Sequence, residues 1–79
     1  MYFVYILRGS QEKWFYVGST GDLTKRLTAH NTGAVRSTKA RRPFICVYTE
    51  KFENVQQARR RERELKSNRC KKEDILKEL

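Results

Sequence analysis

A chain of 79 residues, 38% hydrophobic with four Tyr, four Phe and one Trp, has the material for one thin core, so a single domain over residues 1–79 is expected. It has no run of the roughly 20 apolar residues that cross a bilayer, and its aromatic start MYFVYILRGS has no basic leader. A membrane partner is therefore excluded, and a cytoplasmic setting is expected. The formal net charge is +9, and no acidic residue falls between Leu23 and Tyr48, where Lys25, Arg26, Arg36, Lys39, Arg41 and Arg42 all lie. Such a single-signed segment fits a polyanion, above all nucleic acid.

MYFVYILR alternates and is rich in β-branched and aromatic residues, which predicts a first strand. GSQEK reads as a hairpin loop and WFYVGS as a second strand. GDLTKRLTAHNTG reads as a helix, capped by Ser19, Thr20 or Asp22 and ended by Gly33. AVRSTKARR is an irregular basic loop, and PFICVYTEKF a third strand with Pro43 in its first position. Asn54 caps a second helix, with Gln57 placed as in a capping box, and that helix runs to about Lys66. KKEDILKEL is a short third helix whose Ile75, Leu76 and Leu79 turn inward. The order β-β-α-β-α-α predicts an α/β (α+β) domain, a small three-stranded antiparallel sheet covered by three helices. Cys46 and Cys70 stand far apart, so reduced thiols are expected, and with one histidine they make no zinc site.

Some polar residues fall on apolar faces. A helix turns by about 100° per residue. In the first helix Leu23 and Leu27 set the buried stripe, with Arg26 beside Leu23 and His30 on its line. Covering the core edge with their stems is the structural use of such boundary residues. In the second helix Glu62 lies within the stripe of Val55, Ala58 and Leu65, whereas Glu64 faces away, free to pair with nearby arginines. A carboxylate aimed at a thin core requires a cation. Arg26 or a neighbouring arginine would supply a buried ion pair, and a divalent metal would make a site. With an even hairpin loop, Tyr5 and Tyr16 share one sheet face as cross-strand neighbours, either packed with their hydroxyls at a rim or facing a site. Converged, these groups suit phosphodiester hydrolysis. A metal on Glu62 polarises a phosphate oxygen, and Arg26 neutralises developing charge. A tyrosine of lowered pKa takes a proton from water, and the basic loop holds the strand backbone.

FVY (Phe3 to Tyr5), YVG (Tyr16 to Gly18), the segment YVGSTGDLTKRLTAHNTG, RRP and ARRRERELK keep an order and spacing that resemble the GIY-YIG nuclease domain family over nearly the whole chain. The likeness is closest to small stand-alone bacterial members related to the amino-terminal incision domain of the excision-repair nuclease. It implies DNA cleavage, in repair or recombination, dependent on magnesium or manganese. Tyr5, Tyr16, Arg26, His30 and Glu62 are then the catalytic set, and Glu62 is the metal ligand. Gly18 lets a backbone approach, and Lys25, Arg36, Thr38, Lys39, Arg41 and Arg42 are the expected DNA contacts. The chain departs from the family in two ways: FVY has no glycine, and Ser37 stands where related members often have a tyrosine before the threonine. No second, targeting domain is expected in these 79 residues. Asn68 stands near the position of a late asparagine found in some members. A protein partner for targeting is expected in compensation. The alternatives are a non-catalytic DNA- or RNA-binding module that keeps the fold, or an RNA- or ribosome-associated protein. Nothing in the chain evidently reads base edges, so recognition of backbone or DNA structure is expected.

Overall fold

The computed structural model describes residues 1–9, 15–35 and 43–77, with backbone alone at residues 69–71. Strands β1 (Tyr2–Arg8), β2 (Phe15–Thr20) and β3 (Ile45–Phe52) form one antiparallel sheet in the order β2-β1-β3. Helices α1 (Leu23–Thr32), α2 (Val55–Ser67) and α3 (Arg69–Lys77) complete the expected β-β-α-β-α-α order. Trp14, Ser37 and Leu79 lie outside the described residues.

As the middle strand, β1 is covered on both faces, and Val4, Tyr5, Ile6 and Leu7 are all buried. Side chains alternate along it. Val4 and Ile6 join Val17, Ala58 and Leu65 in the larger cluster, edged by Ile75 and Leu76, so α2 and α3 cover this face. Tyr5 and Leu7 join Phe44 on the other face, under Leu23 and Leu27 of α1. Each fully buried aliphatic side chain contributes about 1.5–3 kcal/mol. Opposite Ile6 and Leu7, β3 carries a bulge: Ile6 pairs with Tyr48 and Leu7 with Cys46, leaving Val47 between them. Val47 and Tyr48 both pack on the α2 side.

Local chemistry sets the element ends. Asp22 caps α1 by accepting from the Lys25 N–H at 3.0 Å, and Gly33 ends it at φ 84°, a left-handed conformation that glycine adopts freely. Asn54 caps α2 by accepting from the Gln57 N–H at 2.9 Å. The third strand begins at Ile45, two residues later than the sequence predicts. The Phe44 N–H donates to Asn31 Oδ1 at 2.6 Å, and the Phe44 carbonyl accepts from Asn31 Nδ2 at 3.4 Å. A helix side chain thus takes the backbone groups that a ladder would use, and it fastens the end of α1 to the entry of β3.

Glu64 pairs with Arg61 at 2.7 Å, as its outward position predicts, and Arg61 also donates to Glu50 of β3 at 2.9 and 3.0 Å. Burial pushes the Glu50 carboxyl up, but the bonds from Arg61 and Tyr48 outweigh it and leave it below its ordinary value. Replacing Asn31 by alanine removes both bonds to Phe44. We expect a loss of about 1–2 kcal/mol in denaturant unfolding at unchanged slope, and an unshifted midpoint would show that β3 needs no such tie.

Candidate active site

The hairpin register sets Tyr5 opposite Gly18 and Leu7 opposite Tyr16. Tyr5 and Tyr16 therefore share a face, as the sequence predicts, but as diagonal neighbours, with ring centroids 6.4 Å apart. A Cβ at position 18 would stand 2.6 Å from Tyr5 Cζ and 3.0 Å from Tyr16 Cε2, and closer still to the Tyr5 hydroxyl. The room left by Gly18 is filled here by the Tyr5 phenol, where the sequence reading had assigned it to an approaching backbone. Only the register reveals this.

From α1, Arg26 and His30 reach the same phenol. The Tyr5 hydroxyl lies 3.0 Å from His30 Nε2, and the Arg26 Nε–H donates to the Tyr5 oxygen at 3.4 Å. A guanidinium can only donate. The phenol oxygen thus accepts from Arg26, and its hydroxyl shares a second hydrogen bond with His30 Nε2. His30 is fully buried, edge-on to Tyr5 and Phe44 and tilted against Tyr16 at 5.1 Å. It is a core residue, where its sequence position predicted a boundary one; three aromatic rings surround it. Burial, and then the nearby Arg26 charge, lower its pKa and keep it neutral. Burial also raises the Tyr5 pKa against the lowering effect of the Arg26 bond. The tyrosine of lowered pKa that the chemistry calls for is therefore not Tyr5.

Glu62 stands at the rim of the larger core, its side chain 21% exposed. The Ser19 hydroxyl donates to Oε1, and Lys66 Nζ donates to Oε2 at 2.7 Å. Burial pushes this carboxyl up, but the Lys66 and Ser19 bonds outweigh it and hold it below its ordinary value. The side-chain cation beside Glu62 is thus Lys66, where the sequence had offered an arginine or a divalent metal. Glu62 and Lys66 are one helical turn apart, whereas Arg26 serves Tyr5 on the other face of the sheet. Lys66 Nζ also lies 5.5 Å from the Tyr16 ring centroid. Since β2 is an edge strand, Lys66 and Tyr16 meet around that edge and join the two halves of the site. Sequence reasoning missed both Ser19 and Lys66. The signals were alternation, which turns Ser19 away from the Gly18 face, and the four-residue spacing from Glu62.

An open cleft beside Glu62 is lined by Ser19, Thr20, Gly21 and Arg59, with Tyr2, Val55 and Ala58 below. No group of three or more His, Cys, Asp or Glu gathers among the described residues. Magnesium is typically held by one or two carboxylates together with waters and substrate phosphates. One carboxylate at an open cleft, with a hydroxyl beside it, is a donor set of that kind. Lys25 is exposed on α1, and Asn68 closes α2. Arg36, Thr38, Lys39, Arg41 and Arg42 lie outside the described residues.

Comparison with known proteins identifies the family. The sequence model of the GIY-YIG catalytic domain matches residues 1–74. A UPF0213 protein of Staphylococcus aureus is 39% identical over 79 residues, covering 98% of this chain and 95% of the relative. A UPF0213 protein of Clostridium perfringens is 44% identical over 63 residues, covering 78% and 67%. Another, of Staphylococcus haemolyticus, is 37% identical over 67 residues, covering 84% and 80%. No solved structure matches the chain significantly.

Two predictions concern the cluster itself. Gly18→Ala must displace the Tyr5 ring, and we expect about 1–3 kcal/mol of destabilisation in denaturant unfolding; a neutral substitution would mean that the ring moves freely. Stability is also expected to depend on pH in a defined window. The His30 pKa is lower folded than unfolded, so the unfolded chain binds the extra proton as pH falls below the ordinary value near 6.5. The His30 contribution is complete above that pH and is lost below it. Glu50 and Glu62 add a second loss below their ordinary value near 4.5. Melting temperature should fall on acidification through the first window in the wild type, and His30→Gln should flatten that fall.

Proposed function

We propose that this chain, which belongs to the GIY-YIG family of nuclease catalytic domains, is a metal-dependent DNA endonuclease that recognises backbone and DNA structure. Repair or recombination is the setting we assign to it. One observation carries the reading: Lys66 donates to Glu62 and lies 5.5 Å from the Tyr16 ring centroid, so that the carboxylate and this phenol border one edge of the sheet. Core packing does not require that arrangement, because Glu62 sits at a rim where a neutral side chain would be less costly.

In this reading Glu62 would hold a magnesium or manganese ion at the Ser19–Thr20 cleft, with water and DNA phosphate as the other ligands. Bound there, the ion supplies Lewis acidity toward a phosphate oxygen. The chain's own residues do the rest. Ser19 fixes one oxygen of Glu62, and Lys66 adds a positive charge beside it. Arg26 presents its remaining guanidinium N–H groups to charge that grows on the phosphate. Tyr16, half-buried and on the Lys66 side, is the phenol we assign as proton acceptor from the attacking water. Tyr5 is fully buried and already engaged, and it keeps Arg26 and His30 in place. Lys25 and the basic segment, Arg36 to Arg42, hold the flanking backbone by charge.

The test is cleavage of plasmid, nicked, flap and four-way DNA with magnesium or manganese. We expect chelation to abolish cleavage and Glu62→Ala to reduce it by at least 10²-fold. Tyr16→Phe should lower the rate about 10²-fold or more with little change in melting temperature, whereas Tyr5→Phe should lower both. Cleavage that survives Glu62→Ala and Arg26→Ala would overturn the mechanism. Tight DNA binding without cleavage under any metal would make the chain a binding module.

A further inference from the structure

The two charged sides of α2 differ in what neutralises them. On one side Arg61 is tied to Glu50 and Glu64. On the other, Arg59, Arg60 and Arg63 are exposed, and none of their side chains makes an ion pair or hydrogen bond among the described residues. Arg59 and Arg63, like charges one turn apart, repel each other, and the charge of Arg59 acts favourably on Glu62. The position of the pair is informative. Arg59, Arg63 and Lys66 line one groove with Glu62, and Arg59 and Glu62 also border the Ser19–Thr20 cleft, so the two grooves run into each other. From Arg59 to Lys66 the helix rises roughly 10 Å, about the rise of three nucleotides along a strand. Guanidinium groups bind phosphate through paired N–H donors.

We propose that Arg59 and Arg63 form a phosphate-binding ridge that holds the DNA backbone next to Glu62, in addition to the contacts of α1 and the basic segment. The ridge grips backbone without reading bases. This deepens the nuclease reading and rests on it for the identity of the strand.

The test measures binding without metal, so it does not depend on cleavage. Labelled duplex DNA is titrated by fluorescence anisotropy in EDTA across a salt series. Compared are wild type, R59Q/R63Q, the charge-keeping R59K/R63K, and R8Q/K51Q, which removes the same charge from exposed residues on β1 and β3. R59Q/R63Q should weaken binding roughly 10-fold or more and reduce the slope of log K against log salt by about 2. R59K/R63K should keep the slope, and R8Q/K51Q should change it by well under half as much. An unchanged slope in R59Q/R63Q, or an equal fall in R8Q/K51Q, overturns the ridge. Tighter ridge-dependent binding of duplex RNA, or of phosphatidylglycerol vesicles, overturns DNA as its partner. A chain that binds DNA with this slope but never cuts it refutes the nuclease reading and leaves the ridge standing.

Discussion

The middle strand of the sheet must hide both of its faces, and most of the structure follows from that requirement. A domain this small has little core, and here β1 takes the central share of it, with Val4, Tyr5, Ile6 and Leu7 all excluded from water. Three of those four side chains are purely apolar. The fourth carries a hydroxyl into a dry interior, where an unpartnered polar group costs more than its hydrogen bond returns. Helix α1 answers that need with Arg26 and His30, and β2 answers it with a glycine that leaves room for the ring. The phenol chain is therefore a consequence of packing as much as a preparation for chemistry.

The other half of the site obeys a different constraint. Glu62 is not buried deeply enough to be silenced, nor exposed enough to be an ordinary surface acid. Ser19 and Lys66 reach it from two elements and keep it ionised. The sheet separates this carboxylate from Arg26, and only the edge of β2 allows the two sides to communicate. Small size helps here, since a sheet of three strands has an edge close to every part of its core.

Much of this was legible in the chain itself. Period-two and helical patterning, with Asp22, Gly33 and Asn54 as punctuation, gave the element order and nearly all the boundaries. Helical angle alone separated Glu62 from Glu64, and the structure puts the first at the cleft and the second on Arg61. What escaped the sequence depends on distance across the fold. The start of β3 moved because Asn31, thirteen residues earlier, claims the backbone of Phe44. His30 turned out to be core because rings from β1, β2 and the approach to β3 enclose it. The partner of Glu62 was the near lysine and not the far arginine, since local helix spacing needs no tertiary arrangement to bring two charges together.

The contact between Gly18 and the Tyr5 phenol bears on what a retained motif certifies. A descendant of this chain with a different task would still be under pressure to keep the glycine, the tyrosine and the histidine, because a Cβ at position 18 would collide with the phenol and losing either ring would open a hole or strand a polar group in the interior. Those three are witnesses to architecture. Glu62 gives different testimony: it stands at a rim, it needs two helpers to stay charged, and a neutral replacement would spare the fold that burden. Of the residues gathered here, the glutamate is the one whose retention packing explains least.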